Sequence, residues 1–453
     1  MASQTRMAIF RLLLVITAFL STSVPAAATP TIADISQILA SVWTNIYVDN
    51  TWTGATVGTE LAPFTNIQAA VDFANSNYGS WSSVTIMIRD TGNDYLGQVV
   101  FPNGNAMRLQ GINGRPTIAY SGSAPVNTIQ SGTNYMSPGL PPAQIGLEHL
   151  RIENRTSATG ELFCAQVHTW HSVEPGVTND PSHLRFGVRD CIFDGRGTHG
   201  GIELLDLLQH ATVEPYNSNV VANSRFEQCT VGVSLRTQKE AQLFNNWFVS
   251  NVVAIRAVDT TNSVYRRAYA DIRVFHNVFL WCGQGVVGGV YPRLVYYNNT
   301  FYESSGTGLL FNAGVLGPEG PSELHNNIFH RGLAAWSADW GTTNALVVSN
   351  NLYYGNVQAT GFEAVGGVSY TNAPDFASES PGDPEFLYLS ETSPAANLSG
   401  LYGGATYLGA LPPVPEAGGI GVAVLVAGMA ATRRRHAARV HPGANRRIME
   451  NAA

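Results

Sequence analysis

The sequence predicts an all-β solenoid in which short strands stack coil upon coil. The first observation behind this is a repeated phrase. Asn245-Asn246-Trp247-Phe248 returns as Asn298-Asn299-Thr300-Phe301, Asn326-Asn327-Ile328-Phe329 and Asn350-Asn351-Leu352-Tyr353. Looser copies are Asn223-Ser224-Arg225-Phe226, His276-Asn277-Val278-Phe279 and Asp190-Cys191-Ile192-Phe193. The aromatic recurs at intervals of about 22 to 33 residues, the range of stacked-repeat architectures. The second observation is what flanks each copy. A short alternating strand such as Arg293–Tyr297 precedes it, and a turn with a further apolar stretch such as Gly308–Phe311 follows. Such a unit cannot bury its apolar face alone and needs a neighbour above and below. The third is composition: 13% charged residues and 45 glycines suit a turn-rich β-solenoid better than a helical protein.

An Asn at the same corner of every coil can bond its amide to the next coil, satisfying backbone groups where no straight strand runs. Asn246, Asn277, Asn299, Asn327 and Asn351 are assigned to such a ladder, with the aromatic two residues later stacking inside. On these residues the chain, from about Asn45 to Ala410, resembles the right-handed parallel β-helix of pectate-lyase-like proteins. The resemblance implies one elongated domain over residues 46–410 and leaves the activity open.

The ends read as addresses. Arg6 and Arg11 precede the apolar run Leu12–Leu20, and Ala26-Ala27-Ala28 supplies small residues for cleavage, so residues 1–28 are expected to be a signal peptide and 29–45 a leader. Near the other end, Val414-Pro415-Glu416 is followed by an apolar run from Ala417 to Ala431 and by Arg433-Arg434-Arg435. Residues 411–435 in that order resemble the PEP-CTERM sorting signal, with Ala417 where that family has a second proline; residues 436–453 form a basic tail. The resemblance implies an exosortase-like sorting protease as partner, a bacterial source and a place in the cell envelope or matrix. Membrane contact is expected only through these terminal segments. A net charge of −7 argues against a nucleic-acid partner.

In chain order, Ile46–Asp49 is a predicted strand. Thr65 and Gln68 then form a capping box for a helix whose buried face is Ile67, Ala70, Val71 and Ala74. That helix is expected to cover the first coil, because an open solenoid end exposes core and unpaired backbone. Val84–Ile88, Gln98–Phe101, Met107–Gly111, Gly146–Arg151 and Leu162–His168 suggest early coils, and clear coils run from about Leu184 to Phe362. Loops are expected at His171–Ser182, Asp206–Asn217, Asp259–Tyr269 and Ala313–Pro321. Pro384 and Pro394, in a closing stretch resembling the terminal motif of bacterial β-helix proteins, are expected to blunt the last edge.

Aligning Gly201-Ile202-Glu203-Leu204, Gly232-Val233-Ser234-Leu235 and Ala254-Ile255-Arg256-Ala257 sends Ile202, Val233 and Ile255 inward and Glu203, Ser234 and Arg256 outward in one column. Arg236, the single lysine Lys239 and Asp259 lie nearby, and His168, His171, Asp206, His210, Arg266 and Arg267 fall in or beside the loops. These residues suit an extracellular acidic polysaccharide. Arg256 and Arg236 would hold a uronate carboxylate and stabilise the carbanion left when Lys239 or a histidine removes the adjacent proton, with Glu203 in the same column. Arg266, Arg267, His210 and Trp281 are expected to bind substrate, and Tyr297, Trp336 and Trp340 are further aromatics that could stack on sugars. In general terms this looks like β-elimination by β-helix polysaccharide lyases.

Glycoside hydrolysis by a carboxylate pair drawn from Asp190, Asp194 and Glu203 is a second enzymatic reading. Thr198-His199-Gly200 resembles in part the Gly-His-Gly element of β-helix polygalacturonases. A non-catalytic glycan-binding or structural surface protein is the alternative from another class. No motif demands a cofactor or metal, and no clear cluster of calcium-binding carboxylates appears, so a Ca2+ requirement stays open.

The repeat also fixes a cysteine register. Cys229 and Cys282 each follow an aromatic by three residues, with Asn251 in that slot of the intervening coil. Two coils separate them by roughly 9.5 Å at about 4.8 Å per coil, beyond the ~7 Å limit between Cα atoms of a disulfide. Cys164 and Cys191 are candidates for adjacent coils and for pairing. Non-reducing peptide mapping should therefore yield no Cys229–Cys282 bridge; finding one would refute the register.

Overall fold

The computed structural model describes residues 44–414 apart from 79–82, 103–105, 132–133, 136–143, 172–184, 209–217, 237–239, 259–270, 289–292, 312–321, 339–345 and 358–368. Three parallel sheets run its length. Sheet 1 has eleven strands, from Thr44–Val48 to Leu346–Ser349. Sheet 2 has eleven, from Tyr95–Leu96 to Ser369–Tyr370. Sheet 3 has ten, from Val99–Phe101 to Ala334–Ala338, with Asn134–Tyr135 branching onto Phe163–His171. The chain visits sheets 1, 2 and 3 in turn, so each strand pairs with its counterpart one coil away. This is a right-handed parallel β-helix. Its first strand opens at Thr44, just before the expected start, and Gly146–Arg151 proves to hold two strands, Gln144–Glu148 and Arg151–Asn154.

The repeated phrase forms the corner between sheets 1 and 2, and its first two positions do different work. Asp190, Asn223, Asn245, His276, Asn298, Asn326 and Asn350 all have φ between 50° and 60°, the left-handed region that Asn tolerates best after Gly. The second position carries the amide ladder. Asn299 Oδ1 accepts from the backbone N–H (3.0 Å) and side-chain amide (3.1 Å) of Asn277. Its own Nδ2 donates to the Val274 carbonyl and to Asn327 Oδ1, both at 2.9 Å. The pattern passes from Asn246 through Asn277, Asn299 and Asn327 to Asn351. Ser224 extends it with a hydroxyl that accepts from the Cys191 N–H. Asp190 is therefore a left-handed corner residue and stands outside the ladder, whose place in that coil belongs to Cys191.

Two residues on, Phe193, Phe226, Phe248, Phe279, Phe301, Phe329 and Tyr353 stack as an internal file with ring centroids 4.3–5.5 Å apart. Small residues on sheet 3 make room for it: a Cβ on Gly232 would lie 2.9 Å from the Phe248 ring and 2.5 Å from the Ala254 carbonyl.

The helix Ile67–Asn77 caps the N-terminal end with Ile67, Ala70, Val71 and Ala74 buried. Its cap differs from the expected box: Asn66, not Thr65, accepts from the Ala69 N–H, and Gln68 instead donates to Asp72 and to the Val100 carbonyl. The four cysteines are free and buried. Cys164 lies in a sheet 3 strand and Cys191 at the opposite corner, so they do not share a file. Burial pushes the Cys164, Cys191 and Cys282 thiols up to about 12. Pro384 and Pro394 blunt no end edge. They belong to a strap, residues 375–414, folded back along the outer face of sheet 2. Phe386, Leu387 and Ala410 pack there on Val249, Val278, Leu280 and Tyr302, while Leu389, Ala395 and Leu408 cover Ile328 and Leu352. Outward positions of sheet 2 change accordingly, from Arg151, Glu153, Asp194, Arg225 and Glu227 in uncovered coils to Val249, Leu280 and Tyr302 beneath the strap.

Asn299→Ala should cost about 2–4 kcal/mol in chemical denaturation, because it strands several buried donors and acceptors at once. Asn245→Gly, at an exposed left-handed corner, should stay within about 0.5 kcal/mol. Equal effects would contradict the division of labour between the two asparagines.

Candidate functional site

The outer face of sheet 3 carries the polar column. Glu203 pairs with Ser234 and Ser234 with Arg256, while Ile202, Val233 and Ile255 point inward in the same register. The column extends two coils further towards the N-terminus than strand alternation in the sequence took it. Gln130 pairs with Gln166, and Gln166 with Glu203.

Glu203 is the hub. Its side chain is 2% exposed. Gln166 Nε2 donates to Oε2 at 2.6 Å, Arg236 Nη1 donates to Oε1 at 2.9 Å, and His168 Nε2 lies 3.5 Å from Oε2. Burial pushes its pKa up, but the hydrogen bonds from His168, Gln166 and Arg236 and the guanidinium charge outweigh it and hold the carboxyl down at about 2. Glu203 is thus a fixed anion at neutral pH and not a proton donor. Arg256 lies over the Ser234 hydroxyl, with Nη2 at 3.2 Å, and pairs with Glu161 from the loop before Phe163–His171.

The remaining expected site residues are not brought together as one group. Lys239, His210, Arg266, Arg267, Asp259 and Trp340 lie outside the described residues, as do most of the expected loops, including 172–182. His171 and Asp206 end up within the strands Phe163–His171 and Gly200–Leu208. The three carboxylates considered for hydrolysis are scattered. Asp190 sits at the corner of sheets 1 and 2, paired with Arg115 and His149. Asp194 sits on sheet 2, 2.6 Å from Arg151, and Glu203 on sheet 3. They face different sides of the rod and cannot flank one glycosidic bond. His199 is buried, with Nε2 2.9 Å from the Thr156 carbonyl, so Thr198-His199-Gly200 presents no exposed imidazole. Tyr297 and Trp336 are buried, so among the described members of that set Trp281 is the exposed aromatic, at the corner between sheets 2 and 3. Gln166 and Glu161 escaped the sequence reading. The alternation Ala165-Gln166-Val167-His168 carries the same phase as Ile202-Glu203-Leu204, so Gln166 and His168 were findable one coil back, whereas Glu161 reaches Arg256 only through the loop's path. Among the described residues no group of three or more His, Cys, Asp or Glu is placed to hold a metal ion.

No protein-family model matches the chain, and no curated protein matches it. Among solved structures, a lacto-N-biosidase from Eubacterium ramulus is similar over 73% of this chain and 68% of its own, at 11% identity and a TM-score of 0.37. A hyperthermoactive exopolygalacturonase from Thermotoga maritima is similar over 75% of this chain and 95% of its own, at 10% identity and a TM-score of 0.32. Likeness at this level bears on neither reaction nor substrate.

The Glu203 cluster has a pH signature. A depressed carboxyl contributes stability that is full above its unfolded pKa, about 4.3, and is lost as pH falls towards its folded value of about 2. In urea titrations at several pH values, the stability gap between the native chain and Glu203→Gln should be widest near neutrality and shrink across that window. A gap independent of pH would show that Glu203 is not held as an anion.

Proposed function

We propose that this chain is an extracytoplasmic protein that takes extracellular polysaccharide on the outer face of sheet 3, and that its chemistry there is β-elimination at a uronate. The observation that carries this reading is the convergence of His168, Glu203, Arg236, Ser234 and Arg256 on one face of consecutive coils. Arg256 would exchange its exposed partner Glu161 for the substrate carboxylate, a bidentate arrangement suited to guanidinium. His168, oriented by Glu203, would remove the proton next to that carboxylate. The electron pair left behind forms the double bond of an unsaturated uronate as the neighbouring glycosidic oxygen leaves with a proton from water. Arg256 offsets charge on the intervening carbanion. The scatter of Asp190, Asp194 and Glu203 favours this route over hydrolysis by that set. The proposed address rests on the signal-peptide pattern of residues 1–28 and the PEP-CTERM-like order of residues 411–435, which would bring the chain to a sorting protease and leave the rod in the cell envelope or matrix.

A second reading is binding without turnover. Its supporting observation is that Glu203 and Arg256 are each already paired with an opposite charge, as in a surface that only recognises sugars.

Incubation with a panel of uronate polysaccharides separates the two. Elimination predicts new ultraviolet absorbance from unsaturated product, with losses of at least about 100-fold in rate for Arg256→Ala and His168→Ala. Binding that persists with no product from any polyuronate would favour the second reading.

A further inference from the structure

The corner between sheets 2 and 3 carries a feature that the sheet 3 column does not use. Gln228, Ser250, Trp281, Glu303 and Arg331 occupy the same corner in consecutive coils, all with φ between 49° and 53°. Backbone hydrogen bonds fix their register: the Ser250 N–H donates to the Leu280 carbonyl of the next coil, the Trp281 N–H to that of Tyr302, and the Glu303 N–H to that of His330. These five coils impose a left-handed conformation, which short polar residues or glycine adopt most readily and a bulky aromatic rarely does. Trp281 nevertheless occupies it, and its side chain is not folded into the core: the residue is 38% exposed. The indole N–H donates to Glu303 Oε2 at 3.0 Å. Glu303 Oε1 lies 3.8 Å from Arg331 Nη1, and Arg331 also holds Glu379 of the strap at 2.6 Å. Glu303, Arg331 and Glu379 all keep a third or more of their side-chain surface in solvent.

The geometry points to a second carbohydrate subsite here: the Trp281 indole as a platform for one pyranose face, with Glu303 accepting from ring hydroxyls and Arg331 donating to ring oxygens. An exposed indole whose polar edge is already anchored offers a rigid apolar surface at small entropic cost. Coils about 4.8 Å apart place the polar partners beside a stacked ring, not beneath it. The two carboxylates outnumber the single guanidinium, so the ring that fits carries hydroxyls and no carboxylate. This subsite is distinct in position and charge from the one proposed on sheet 3 and does not depend on chemistry at Arg256.

The test is retardation of the full-length chain in native gels cast with neutral polysaccharides (hydroxyethylcellulose, galactomannan and dextran) or with polygalacturonate. At least one neutral gel should slow the native chain. Trp281→Ala should weaken that effect roughly ten-fold and Trp281→Phe should restore part of it. Glu303→Gln keeps an amide oxygen that can accept from the indole N–H and should still weaken the effect, and so remains informative if the alanine variant fails to fold. Equal retardation of native chain and variants overturns the subsite, and so does absence of retardation in every neutral gel. Failure on polyuronates alone would sink only the sheet 3 reading.

Discussion

Everything in this molecule rests on the need to satisfy backbone polar groups at a buried corner where the strands stop. A parallel coil has to turn sharply between sheets 1 and 2, and the turn exposes N–H and C=O groups that no ladder strand can reach. The file Asn246, Asn277, Asn299, Asn327 and Asn351 meets that need with one primary amide per coil: each Oδ1 accepts from the preceding coil, and each Nδ2 donates to a backbone carbonyl of that preceding coil and, as far as Asn327, to the amide oxygen of the next. Once the corner is fixed, the aromatic two residues later has one place to go, and the outward alternation of sheet 3 follows from the same phase. Register, core and candidate site are consequences of a single repeated hydrogen-bonding solution.

This explains what could be read from the primary sequence. Asn-Asn-x-aromatic is legible because amide and ring demands fall at fixed spacing, and the Glu203–Arg256 register needed only strand alternation. The finer roles were not legible. Two adjacent asparagines look alike in sequence, yet one relieves a left-handed backbone and the other builds the ladder. The early coils carry His149-Leu150 or Asp190-Cys191 at that corner, so their kinship with the later ones shows only in three dimensions. The capping residue was displaced by one position, since Thr65 and Asn66 are both competent acceptors and only the entry path of the chain decides between them.

The candidate site was legible as a column but not as a circuit. Which charges neutralise one another depends on loops: Glu161 reaches Arg256 from a connection far away in sequence, and Arg236 finds Glu203 across a coil boundary. The result is a face rich in charged groups whose fields largely cancel, a surface that selects partners by hydrogen-bond geometry more than by long-range attraction. The scattering of Asp190, Asp194 and Glu203 over different sides of the rod follows from the same topology: residues close in sequence but on different strands of one coil look in different directions.

The strap over sheet 2 alters the kind of object this solenoid is. In an array where each repeat touches only its neighbours, stability is a nearest-neighbour sum and the ends can fray one unit at a time. Residues 375–414 break that locality. The Asn298 side-chain amide donates to the Tyr407 carbonyl, the Gly409 N–H to the Asn326 carbonyl and the Ala410 N–H to the Thr300 hydroxyl, while Phe386 reaches Trp247. Coils that never touch one another are thereby riveted to one shared segment. The C-terminal half becomes an all-or-none block that resists unzipping from its open end, while the uncovered N-terminal coils keep the graded behaviour of a linear chain of repeats.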